Sequence, residues 1–229
     1  MSIASIVGVS CNSDQDDASQ MTNSRTEGMI EYNLTYPFLD TNDIGLNLLP
    51  DKMTLIFKDH TYRMESIGGM GLFAAGYVSN MDRRTMDYFL KIVSAKYVSR
   101  FTETTIKFFN QDFPAFRSMP VDSTRVIAGY ECKGLQIIFY DNPIPDYVIW
   151  YTDEINLKNS NWCNPFNSID GVLMEYMIQS NGLVMKLTAA EVLPETINPE
   201  QLRIPTDYKI VSNKVLMRKM EEAFMGFDY

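Results

Sequence analysis

Short runs of alternating apolar and polar side chains, separated by turn formers, constrain this chain more than any other feature. Ile30, Tyr32, Leu34 and Tyr36 alternate with Met29, Glu31, Asn33 and Thr35, and Met53, Leu55 and Phe57 alternate with Thr54, Ile56 and Lys58. A period of two sends successive side chains to opposite faces of an extended strand, so each run reads as a half-buried strand. Similar runs follow at 61–66, 72–80, 85–93 and 97–101, with Asp59-His60, Gly68-Gly69 and Asp82-Arg83-Arg84 between them. That is hairpin spacing and predicts an antiparallel meander. Strands are expected again at 124–133, 135–140, 147–152, 172–179 and 183–192. Asn181-Gly182 between the last two is a strong hairpin turn, because both residues tolerate positive φ.

Two stretches depart from this period. Residues 102–120 predict a helical turn or two at 104–110, with Pro114 and Pro120 ending regular structure. At the other end, Ser212 is a plausible N-cap for a helix over 213–225. There Leu216, Met220 and Phe224 fall at i, i+4 and i+8 on one face, with Met217 beside them, and Gly226 suits a stop. The expected fold is mainly β, in the α+β class. It is a strongly curved antiparallel sheet, a half-barrel of about eight to eleven strands, with a C-terminal helix and a short helical insertion. It forms one domain over 27–229. Such a sheet has a concave face that helices or a ligand must fill.

Chemistry is sparse. His60 is the sole histidine and sits in a turn, and neither a Gly-x-Ser-x-Gly elbow nor a CxxC pair occurs. Asp40-x-Asn42-x-x-Gly45 is a fragment of a calcium loop, but Ile44 stands where an oxygen ligand is needed and Asp51 where Glu is usual. Asp153 and Glu154 are adjacent in an extended run, so they point to opposite faces and cannot pair as acid and base. The expectation is a non-enzyme with neither catalytic residues nor a metal. A net charge of −9 argues against nucleic acid as a partner. The 13 Tyr, 13 Phe and 15 Met favour strands and an adaptable apolar interior.

The first ten residues form an apolar run, Ile3-Ala4-Ser5-Ile6-Val7-Gly8-Val9-Ser10, that ends at Cys11. This looks like the end of a lipoprotein signal peptide, in which the Cys thiol takes a diacylglycerol and becomes the mature N-terminus. Residues 1–10 are then a partial signal and 11–26 a flexible acidic tether. Ser13, Asp14, Asp16 and Asp17 in that tether resemble the export tether of surface-exposed lipoproteins of Bacteroidota. The implied location is the outer membrane, on the cell surface or the periplasmic face, with the lipid on Cys11 as the one attached group. Cys132 and Cys163 remain. Outside the cytoplasm they form either one disulfide, or one buried thiol in a strand and one packed in an aromatic loop.

Ile127-Ala128-Gly129-Tyr130-Glu131-Cys132-Lys133 precedes Val148-Ile149-Trp150-Tyr151-Thr152-Asp153-Glu154-Ile155, then Asn164-Pro165-Phe166 and Ile169-Asp170-Gly171-Val172-Leu173-Met174. This order resembles the GLPGLI family and related uncharacterised lipoprotein domains of Bacteroidota. The resemblance is specific over 124–192. It implies a curved sheet somewhat like the LolA, LolB and LppX carriers, and no activity. Tyr130, Trp150 and Met174 are the residues expected to line a cavity. The expected function is a non-catalytic, membrane-anchored binder of a hydrophobic small molecule. The alternative is an accessory subunit of an outer-membrane protein complex.

Overall fold

The computed structural model describes residues 26–40, 48–140, 144–180 and 183–224. Cys11, the acidic tether, the Asp40–Gly45 fragment beyond Asp40, the Asn181-Gly182 turn and the Phe224 side chain lie outside what it describes. Strands make up 53% of the chain, which places it in the mainly β class. Twelve of them form one curved sheet that does not close on itself.

The chain enters this sheet at its centre. Strand β1 (Glu27–Thr35) pairs with β2 (Lys52–Lys58), and short turns lead from β2 through β3 (Thr61–Gly68), β4 (Phe73–Asn80), β5 (Thr85–Ile92) and β6 (Ala95–Thr102), an antiparallel meander to one side. Helix α1 (Glu103–Phe109) then carries the chain across the sheet. Its entry is held by the Thr102 N–H, which donates to Thr105 Oγ1 at 2.7 Å. The second meander starts at the far edge with β7 (Phe116–Ile127) and returns through β8 (Tyr130–Phe139), β9 (Tyr147–Thr152), β10 (Val172–Ser180) and β11 (Leu183–Leu193). There β11 pairs with β1 and joins the two halves. Strand β12 (Lys209–Ile210) adds to β6 as the one parallel pairing among the described strands. Helix α2 (Asn213–Phe224) ends the described chain.

Two local expectations change. The run at 124–133 is two strands, not one. Ala128 and Gly129 take φ of 50° and 87° and reverse the chain, so that Ile127 pairs with Tyr130. Gly129 is thus a tight-turn residue that needs a left-handed backbone, where Gly carries no Cβ penalty. Pro120 does not end regular structure but lies within β7, opposite Leu135. A strand can hold proline there because β7 is an edge and no neighbour needs the missing N–H.

Alternation sorts the side chains into two layers. Tyr32, Tyr62, Met64, Met86 and Leu90 are buried on the concave side with Leu216 and Met220 of α2, all in one apolar cluster. Residues 194–208 strap the outside. Lys58 Nζ donates to the Ile197 carbonyl at 3.0 Å and Arg63 Nη1 to the Arg203 carbonyl at 2.9 Å, while Tyr208 meets Phe89 edge-on at 5.8 Å.

Candidate functional site

The concave face is covered by the chain between β9 and β10. This stretch has no regular structure, so its buried backbone depends on side chains for partners. Asn161, 4% exposed, supplies most of them. Its Nδ2 donates to the carbonyls of Ile169 (2.9 Å) and Gly171 (2.8 Å), and its Oδ1 accepts from Asn164 at 3.2 Å. With its backbone satisfied, the loop can lower its aromatic residues onto the sheet. Trp162 Nε1 donates to Ser79 Oγ at 2.7 Å, Tyr62 OH donates to the Ser160 carbonyl at 2.8 Å, and Phe166 packs fully buried against Phe113, Phe116 and Tyr176.

An apolar space remains beneath this cover. It has two lobes of about 120 and about 70 Å³ that share Met53, Met64, Tyr77, Tyr88 and Met185. The larger lobe reaches Met86, Tyr176 and Ile178 on the sheet, Cys163 in the cover and Phe109 at the end of α1. The smaller reaches Leu34, Phe73 and Leu183, with Met220 of α2 behind. Tyr77 OH lies 3.2 Å from Met64 Sδ, and Tyr62 OH lies 3.0 Å from Cys163 Sγ. Burial pushes the Tyr62 and Tyr77 hydroxyls far up, Tyr88 to about 12 and the Cys163 thiol to about 11. The walls are therefore uncharged at neutral pH. They offer dispersion, sulfur–aromatic contact and polarisable methionine surface.

A larger cleft of about 790 Å³ opens to solvent beside it, between α1 and the loop at 158–170. Its floor is Trp162 and Phe113 and its rim is polar. Glu103 on that rim holds Lys107 at 3.3 Å and Arg84 at 3.5 Å. Asn110 and Pro165 line both cleft and cavity and so form the partition between them. Asn110 is held in place by donating through Nδ2 to the Cys163 carbonyl at 3.2 Å.

The residues expected to line a cavity lie elsewhere. Met174 is fully buried in the core, and Tyr130 is half-buried beside the β7–β8 turn. Trp150 pairs across the strands with Glu175 and Gly134, and Glu175 points away from its cavity-lining neighbour Tyr176. The indole thus stands on the opposite face, where a Cβ on Gly134 would meet it at 3.0 Å. None of the three borders the space described. The anticipated bridge is also not formed. Cys132 and Cys163 are separate buried free thiols, one beside the Tyr130 carbonyl and one against Tyr62. His60 sits in the β2–β3 turn, exposed, with Nδ1 3.3 Å from Asp82. Among the described residues, no group of three or more His, Cys, Asp or Glu could hold a metal ion, and no helix is long and apolar enough to cross a membrane.

The methionines and tyrosines that do line the space carried a signal in the sequence. Met53, Met64, Tyr77, Tyr88 and Met185 each fall in an alternating run. The period states that they share a face with core residues, but not which of them the cover leaves untouched.

No protein-family model matches the chain, and no curated protein does. Among solved structures, the fold is similar to PNGF-II in its P21 crystal form, with a TM-score of 0.53 at 11% identity over 86% of this chain. The C2 form of PNGF-II gives 0.50 at 13% identity, also over 86%. The chain spans about a third of the length of those PNGF-II chains, 33% and 32%. At such identities the likeness is one of fold alone.

Proposed function

We propose that this protein is a non-catalytic binding protein that holds a small hydrophobic molecule against the concave face of its sheet. The observation that supports this reading is the two-lobed, uncharged space lined by Met53, Met64, Tyr77, Tyr88 and Met185. Sheet cavities of this kind fill either with side chains or with a guest, and here the cover and α2 stop short of filling it. Volume limits the guest. Drug-sized ligands occupy roughly 300–1,000 Å³, whereas an apolar cavity of about 150 Å³ takes up a benzene-sized molecule and excludes water. The ligand class is therefore a single aromatic ring or a short branched alkyl, and a long acyl chain does not fit this conformation. In the same reading the protein works at the outer membrane, anchored through a lipid on Cys11.

Methyl-labelled methionine NMR tests the proposal. Benzene or indole should shift the resonances of Met53, Met64 and Met185 and leave exposed Met119 unmoved. Leu187→Trp or Tyr176→Trp, which pushes bulk into the larger lobe, should abolish the shifts. If no small hydrophobe perturbs these methyls, and the protein instead co-purifies with an outer-membrane protein, the accessory-subunit reading takes its place.

A further inference from the structure

Three left-handed residues in a row, Gly69, Met70 and Gly71 with φ of 54°, 54° and 85°, form the turn between β3 and β4. The glycines take this conformation freely, but methionine does not. Met70 is nonetheless held at the apex, 98% exposed. The neighbouring turn between β5 and β6 repeats the anomaly. Val93 has φ of 57°, a region that β-branched residues strongly avoid, and it is 59% exposed. The two turns are bonded to each other, since the Val93 N–H donates to the Leu72 carbonyl at 2.6 Å. Leu72, Ile67 and Leu48, each more than half exposed, complete the patch, and Leu48 lies against the turn where its carbonyl crowds Gly68. One end of the sheet thus presents five apolar side chains to water. Left-handed residues also occur at other turns, Asp59, Arg84 and Ala128 among them, but at this end the two such positions carry exposed apolar side chains where Gly or Asn would cost less.

The chemistry of the patch selects its partner. A stable protein interface takes roughly 20–30 residues a side, far more than these two turns and Leu48 supply. Neither turn, 66–73 or 91–96, carries an acidic residue, although the chain has 29. Lys91 lies just behind the apex, donating to the Gly71 carbonyl at 2.8 Å. Asp207 beside the patch is paired with Lys96, and Asp51 stands at its margin beside the ion pair of Lys52 with Glu31. An apolar apex backed by lysine in a chain of net charge −9 matches the layering of a bilayer, with acyl chains inside and phosphates at the surface. We propose that this tip, Met70 with Leu72 and Val93 at its centre, inserts into the surface of a phospholipid bilayer. The smaller cavity lobe, with Phe73 and Leu183, lies at the same end of the sheet, so insertion would bring the cavity to the membrane surface. The inference does not depend on a lipid at Cys11.

Flotation of the full, unacylated chain with vesicles of phosphatidylethanolamine and phosphatidylglycerol tests it. The wild type should float, and Met70→Ser should weaken the association about tenfold or more, from the loss of one buried apolar side chain. Phe108→Ser, which removes an equally conspicuous apolar side chain on α1, 71% exposed, should change nothing. Val93→Asn separates membrane contact from folding. Asn accepts the left-handed backbone, so this variant should melt higher than the wild type while floating less. A wild type that stays with the unbound fraction, or a Met70→Ser variant that floats equally well, overturns the proposal. So does light scattering that shows the wild type pairing through this tip without lipid, which would make a second copy the occupant.

Discussion

Trp162 joins the cover to the sheet by one hydrogen bond, from its Nε1 to the Ser79 hydroxyl at 2.7 Å, in a site where both residues are buried. Trp162→Phe keeps most of the ring and leaves Ser79 without that donor. It should cost about 1–2 kcal/mol, a value that urea titration can read. Cys163, two residues from the buried turn at Asn161, is held protonated by burial, and Cys132 likewise, each near 11. Neither should react with iodoacetamide at neutral pH in the native state. Both should react in denatured, unreduced protein, and finding them unreactive there would restore the disulfide. Their chemical type was plain in the sequence. Their separation was not, because it depends on where the cover meets the sheet.

Among the elements, α2 was the most legible. Leu216 and Met220 fall on the predicted face and are 0% and 1% exposed. Ser212 caps the helix with its hydroxyl 3.4 Å from the Val215 N–H, as its position before the apolar period suggested. Leu216→Ala should destabilise the domain by about 2–5 kcal/mol through the cavity it leaves, measurable as a lowered urea midpoint with unchanged slope. Strand β7 shows the limit of such reading. Its burial pattern is almost wholly exposed, and its centre holds Pro120 and a register shift between Val121 and Thr124. These features argue against a strand when read locally. They are tolerated on the free edge of an open sheet, where they also deter pairing with another chain. The opposite edge is protected differently, by the two residues of β12 laid over β6.

At the scale of the molecule, the open sheet buries many groups that ionise only at high pH. Unfolded thiols and phenols release protons near 9 and 10. In the folded state Cys132 and Cys163 hold theirs to about 11 and Tyr88 to about 12, and burial pushes the Tyr32, Tyr62 and Tyr77 hydroxyls well up too. Above about pH 9 the unfolded chain therefore binds fewer protons than the native one, and stability falls as pH rises. This contribution is fully present below pH 9 and should decline through the window from 9 to 12. Urea midpoints across that window will show the fall, and a flat profile would contradict the burial described. The sequence alone determined the mainly β class, the near-continuous antiparallel meander and the amphipathic C-terminal helix, because each rests on a period of two or 3.6 that the backbone enforces locally. Tertiary structure alone decided the central pair of β1 with β11, the strap over the outer face, and the choice of Met53, Met64, Tyr77, Tyr88 and Met185 rather than Tyr130, Trp150 and Met174 to border the cavity. Those outcomes depend on contacts between residues more than a hundred positions apart and on how far an irregular loop descends onto the sheet. No local period records either.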